Sequence, residues 1–176
     1  MSQQVSLTLI AILSIFTIYY DMRYRRIPNA CVLAGFFSGL VLNIWGHGWL
    51  GLRNSLLGCT LAFFLMFVMR MFSGATGPGD IKWFAAIGAI IGWQLVLPAF
   101  LTVLVTGMVL GLVSIVRQGR VRVALERVLL ILCGMLPGQS IPRFPVPEDR
   151  TKALPYGVAI CLGSLIAVVR QLPHFS

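Results

Sequence analysis

Runs of apolar residues separated by short polar breaks limit what this chain can fold into. The runs at about 5–20, 30–44, 55–71, 81–92, 95–116 and 154–169 are almost free of charge. Several approach the roughly 20 residues needed to cross a bilayer as a helix. Hydrocarbon offers the backbone no hydrogen-bond partner, so each run must satisfy its own N–H and C=O groups, and a helix does so within one segment. A soluble domain with 58% hydrophobic residues in 176 would expose more apolar surface than soluble folds carry. The expectation is an all-α, polytopic membrane protein with six transmembrane helices, forming one domain over 1–176.

The net charge of +9 then marks loops beside anionic lipid, and no nucleic-acid partner is expected. If six spans alternate, Arg23, Arg25, Arg26, Arg70, Lys82, Arg117, Arg120, Arg122, Arg127, Arg143, Arg150 and Lys152 share one side. Only Arg53 and Arg170 lie on the other. The positive-inside rule makes the first side cytoplasmic and puts both termini outside. The first run is followed by bases, not preceded by them, and lacks an A-x-A cleavage site. It therefore reads as a retained membrane helix, not a signal peptide. Cys31, Cys59, Cys133 and Cys161 make no CxxC pair, so no metal site is expected. Each lies in or beside an apolar run and is expected to pack as a small hydrophobe.

Between the first two runs, Asp21 to Asn29 reads as a short basic loop. Pro28 disfavours helix at Ile27 and suits the start of the next helix. Trp45-Gly46-His47-Gly48-Trp49 reads as a turn with interfacial anchors. Residues 72–79 form a Gly-rich break. The run behind it is only about twelve residues, short for a crossing. A helix from Asp80 past Gln94 would make up the length. Ala85, Gly88, Ala89 and Gly92 recur there at helical spacing, a small-residue stripe that lets another helix approach closely. The next run can kink at Pro98. Segment 120–136 mixes Arg120, Arg122, Glu126 and Arg127 with Val121, Val123, Leu125 and Val128. That is the pattern of a basic amphipathic helix lying at the membrane surface. As a seventh span it would have to bury Glu126 and Arg127.

The chain has five acids: Asp21, Asp80, Glu126, Glu148 and Asp149. Only Asp21 and Asp80 adjoin apolar spans, where a carboxylate costs about 2.5–3.5 kcal/mol near the bilayer centre. Both fall at the cytoplasmic end of a span, far apart in sequence but at one depth. Each has a bland reading. Asp80 in Gly77-Pro78-Gly79-Asp80 could be an ordinary N-cap, and Asp21 could pair with Arg25 one turn on. Yet a carboxylate at the end of a helix opposes its macrodipole. Two close aspartates share a proton. The ionised one can deprotonate water while the protonated one hydrogen-bonds a scissile carbonyl, as in aspartic proteases. His47 and His174 lie away from the cysteines and from both acids in this topology, which disfavours Ser–His or Cys–His chemistry. Gly77 and Gly79 give backbone freedom that would bring Asp80 towards Asp21, and Pro78 stiffens the turn. Lys82 is two residues from Asp80, on nearly the opposite helix face, and is expected to snorkel to the headgroups.

Asp21 with Arg25-Arg26-Ile27-Pro28-Asn29, then Gly77-Pro78-Gly79-Asp80-Ile81-Lys82, resembles the type IV prepilin peptidase family of GxGD membrane aspartyl proteases. Leu154-Pro155-Tyr156-Gly157 is similar to a third stretch of that family. The resemblance implies a six-helix enzyme of the bacterial inner membrane with Asp21 and Asp80 as the catalytic pair. It implies cleavage of the short leader from pilin-like precursors at the cytoplasmic face, with no cofactor. Gly77, Pro78 and Gly79 would form the active-site loop, and Lys82 and Asn29 are candidate substrate or interface contacts. Larger members carry an N-terminal extension with paired CxxC motifs, associated with N-methylation. This sequence has no CxxC and so resembles the compact branch serving Flp/Tad-type pili, without methyltransferase activity expected.

Two other classes stay open on the sequence: a small proton-coupled transporter using the acids as a relay, and a catalytically silent scaffold in pilus assembly. Both acids at one face, away from the midplane, weigh against the transporter. The charge asymmetry makes a direct prediction. In a cysteine-free background, Arg120→Cys and Arg150→Cys are shielded from an outside thiol reagent, whereas Gly48→Cys is labelled. Labelling of Arg150→Cys from outside would instead support seven spans.

Overall fold

The computed structural model describes residues 3–24, 27–73, 76–117, 119 and 156–170. Among them all regular structure is helical, in the order α1 (Gln3–Tyr24), α2 (Asn29–Ser73), α3 (Pro78–Ile91), α4 (Trp93–Arg117) and α5 (Tyr156–Arg170). The chain divides into two compact units, Met1–Gly107 with Pro155–Ser176, and Met108–Leu154. The second unit is described through the end of α4 and Gly119. The first holds the core and both membrane-adjacent acids. The expected surface helix at 120–136, Cys133 and His174 lie outside the described residues.

Gln4–Tyr24, Asn29–Phe72 and Trp93–Arg117 are long and apolar enough to cross a membrane. Their outward faces agree with that reading. Ile12, Ile15 and Phe16 on α1, and Leu101, Val105 and Met108 on α4, are exposed, an arrangement suited to lipid and costly in water.

The 45-residue α2 is helical on both sides of a break at Gly48, whose φ of 57° and ψ of −133° are not helical. A positive φ is costly for any residue with a Cβ and cheap for glycine. The chain turns back there. Gly51 comes so close to the Asn43 carbonyl that a Cβ has no room. The runs expected as the second and third spans fall in the two arms of α2, 29–47 and 49–73. The turn at Trp45–Trp49 is tighter than expected, a single non-helical residue.

α3 lies against both arms. On the first arm, Asn43 Nδ2 donates to Ala89 O at 3.0 Å and Ile90 O at 3.2 Å. On the second, Ser55 Oγ donates to Ala89 O at 2.7 Å. A Cβ on Gly39 would sit 2.8 Å from Ile90 N. A Cβ on Gly88 would sit 2.5 Å from Gly58 O and 2.6 Å from Ala62 Cβ. The small-residue stripe therefore does what its spacing predicts and brings backbones together. Ile81 and every residue from Trp83 to Ile90 are buried, and Lys82 is exposed. A helix apolar on all faces belongs in the interior. Trp83, Phe84 and Ile87 join Ile10 of α1, Met66 of α2, Val96 and Val103 of α4 and Ile160 of α5 in one core.

The expected length of α3 is not found. α3 does not continue past Gln94. It ends at Ile91, and Gly92 takes φ 75° with its N–H on Gly88 O at 3.0 Å. α4 starts immediately at Trp93. Glycine at this point lets the chain leave the helix at a φ that other residues resist. With 14 residues α3 is only about 21 Å long at 1.5 Å per residue, short of a bilayer core of about 30 Å.

Gly58→Ala and Gly88→Ala should each lower stability by about 1–3 kcal/mol, the usual cost of overpacking, because the obstructing atoms include backbone. Gly111→Ala, with nothing within 4 Å of where its methyl group would stand, should be neutral or stabilising through helix propensity. Thermal unfolding in one detergent checks all three. An unchanged midpoint for Gly88→Ala would contradict the close contact.

Candidate active site

Asp21 is not in a loop, because α1 continues to Tyr24 and the acid lies in the last turn. It is only 6% exposed, and Asp80 only 9%. Burial of two carboxyls is expensive without partners, so what surrounds them decides what they can do.

Asp80 is in the first turn of α3, but it is not the N-cap. Gly77 is, with φ −73° and ψ 155°. Asp80 stands three residues on and reaches back, so that Gly77 N–H donates to Asp80 Oδ2 at 2.9 Å. That is the reciprocal half of a capping box. The glycines also act differently from expectation. Neither Gly77 nor Gly79 has positive φ. Gly77 is tight for lack of space: a Cβ there would stand 3.2 Å from Asp80 Oδ2. Gly79 faces Ile27 at an ordinary 3.5 Å. Pro78 takes the first helical position, where its missing N–H costs nothing.

The tertiary fold brings the two acids together. The charges of Asp21 and Asp80 act on one another, and Arg70, near the end of α2, acts on Asp80 as well. Arg70 Nη1 also donates to Thr76 O, tying the end of α2 to the residue before Gly77. Cys161 of α5 feels both acids. Lys82 and Asn29 are exposed, Lys82 on α3 away from its buried neighbours and Asn29 at the start of α2. Arg25, the salt-bridge partner that Asp21 would have in the bland reading, lies outside the described residues.

Two neighbours of the acids come from α5. Tyr156 stands close enough to Asp80 to feel its charge, and its hydroxyl points to Met69 Sδ at 3.8 Å. Gly157 is buried against Asp21, with the Oδ2 atom 2.6 Å from where a Cβ would stand. The sequence pattern marks this Pro-Tyr-Gly stretch without giving it a place at the site. The available signal is a glycine directly at the start of an apolar run. The contact also supplies what Asp21 lacks in its own helix. Asp21 opposes the dipole of α1, but it rests on the first turn of α5, the positive end of that helix.

Among the described residues no group of three or more His, Cys, Asp or Glu could hold a metal ion. Cys31 and Cys59 are half-buried and Cys161 is buried, in keeping with packing roles.

Two buried, mutually interacting carboxyls can share a proton. Residues 8–112 match the type IV leader peptidase family, and the chain belongs to that family. It is 31% identical over 108 residues to a prepilin leader peptidase/N-methyltransferase of Burkholderia pseudomallei, covering 58% of this chain and 34% of that protein. It is 24% identical over 157 residues to the protein of that name from Legionella pneumophila, covering 86% and 45%. A Pseudomonas putida protein of the same name is 34% identical over 101 residues, covering 54% and 34%. The chain thus spans between a third and a half of the length of these relatives. No solved structure matches the chain.

Proposed function

We propose that this protein is a membrane-embedded aspartic endopeptidase that removes the leader from type IV pilin-like precursors, of Flp type, at the cytoplasmic face of the bacterial inner membrane. The carrying observation is the approach of Asp21 and Asp80, distant in sequence and on different helices, within a chain of the type IV leader peptidase family. The two arms of α2 with α1, α3, α4 and α5 make six helical segments, the number of spans in this reading, with α3 and α5 shorter than a full crossing. On that reading Arg23, Arg70 and Lys82 share the side of the acids.

The chemistry follows from two carboxyls that share one proton. The ionised carboxylate takes a proton from a water whose oxygen attacks the scissile carbonyl carbon. The protonated partner donates a hydrogen bond to the carbonyl oxygen as negative charge develops there. Collapse of the tetrahedral intermediate breaks the C–N bond, and a carboxyl passes a proton to the leaving nitrogen. The Gly77 N–H on Asp80 Oδ2 fixes the orientation of one carboxyl and leaves its other oxygen for this work. The α5 dipole favours charge on Asp21. A helix N-terminus favours charge on either acid, α5 on Asp21 and α3 on Asp80, so the pair shares its proton and either carboxyl can take the part of the base.

Asp21→Asn and Asp80→Asn should each lose about a hundredfold or more of cleavage, the scale of general acid–base catalysis. The double variant should be little worse than either, because residues acting as a unit are non-additive. Folding should survive, since an amide oxygen at 80 still accepts the Gly77 N–H. Conversion of a pilin precursor at matched membrane abundance is the measurement. Substantial cleavage by either single variant would end the dyad reading. If Asp80 only capped α3, Asp80→Asn would be nearly silent.

A further inference from the structure

α5 carries two glycines whose missing side chains serve different ends. A Cβ on Gly163 would stand 2.6 Å from Val103 Cα and 2.7 Å from Val103 N. Those are backbone atoms of α4, so the obstruction can be relieved only by moving a helix. A Cβ on Gly157 would stand 2.6 Å from Asp21 Oδ2, 3.0 Å from Asp21 Cγ and 3.4 Å from Asp21 Cβ. Here the atoms in the way are the end of a side chain. Contacts under 3.0 Å are essentially never tolerated, so the carboxylate, not the helix, gives way. Gly157 is buried, which leaves an added methyl no route to lipid or water.

We propose that Gly157 is a positioning residue for peptide cleavage: the space left by its missing side chain seats the Asp21 carboxylate on the first turn of α5, within reach of Asp80. The proposal rests on the reading of Asp21 and Asp80 as the catalytic pair. Gly157 acts through Asp21. A methyl group at this point pushes the carboxylate out of its seat and away from the positive end of the α5 dipole. It also alters the spacing of the two carboxyls, on which proton sharing depends. The neighbouring Tyr156 stands by Asp80, so one helical turn faces both members of the pair.

The test uses the full chain in detergent with a purified pilin precursor and compares Gly157→Ala, Gly163→Ala and Asp21→Asn. For Gly157→Ala, kcat should fall about a hundredfold, the usual effect of misplacing a catalytic group by about 1 Å. KM should stay within about twofold, as when an interaction made only in the transition state is lost. Its thermal midpoint should hold, since alanine favours a helix over glycine. Gly163→Ala should show the reverse, a lower midpoint with near-normal kcat per folded molecule. Wild-type kcat for Gly157→Ala beside an inactive Asp21→Asn would overturn the positioning role and leave the dyad standing. So would a lowered midpoint with a kcat loss no larger than that of Gly163→Ala, which would make Gly157 a packing residue. Cleavage retained by Asp21→Asn would remove the dyad itself, and the proposal with it.

Discussion

The site depends on how closely α3 fits between the two arms of α2. Gly39, Gly58 and Gly88 bring backbones to distances that a methyl group would forbid. In lipid the hydrophobic effect does not drive helices together, so such contacts, with interhelical hydrogen bonds, hold a bundle. Asn43 and Ser55 provide those bonds, both on the carbonyls near the end of α3. One end of a short helix is thereby pinned from two sides. The other end, with Asp80, is set at a fixed depth against α1 and α5. A looser α3 would leave the acid free to wander.

Electrostatics then divides the two acids. Asp21 stands at the unfavourable end of its own helix and the favourable end of another. Asp80 stands at the favourable end of its own helix, is held by the Gly77 N–H and has Arg70 nearby. Neither carboxyl is supported by the element that carries it alone. Asp21 rests against the start of α5, and Asp80 has Arg70 of α2 nearby. The role proposed for Gly157 runs against helix propensity, which disfavours glycine inside a helix.

Much of this was legible in the residue pattern. Apolar runs free of charge identify membrane helices because hydrocarbon penalises charge and unpaired backbone alike. Acid scarcity singled out Asp21 and Asp80. The stripe of Ala85, Gly88, Ala89 and Gly92 announced a close helix contact, and the match to the family agrees with the motifs around both acids. Local breaks were harder to read. Gly92 looked like part of a packing stripe and proved to be the end of α3 as well, since a glycine's missing Cβ serves close approach and positive φ equally. Gly77 and Gly79 looked like hinges, yet their φ angles are ordinary and only Gly77 is crowded.

By itself, then, the sequence determined the helical class, the membrane setting, the two acids and the family. Those properties follow from composition and short spacing, which act along the chain. Tertiary structure decided which helix is central, where α3 stops, and which groups surround each carboxyl. It alone brought Gly157 to Asp21 across more than a hundred residues and put the start of α5 where the end of α1 needed a compensating dipole. Contacts of this kind are set by the packing of several helices at once, and no local pattern of residues encodes them.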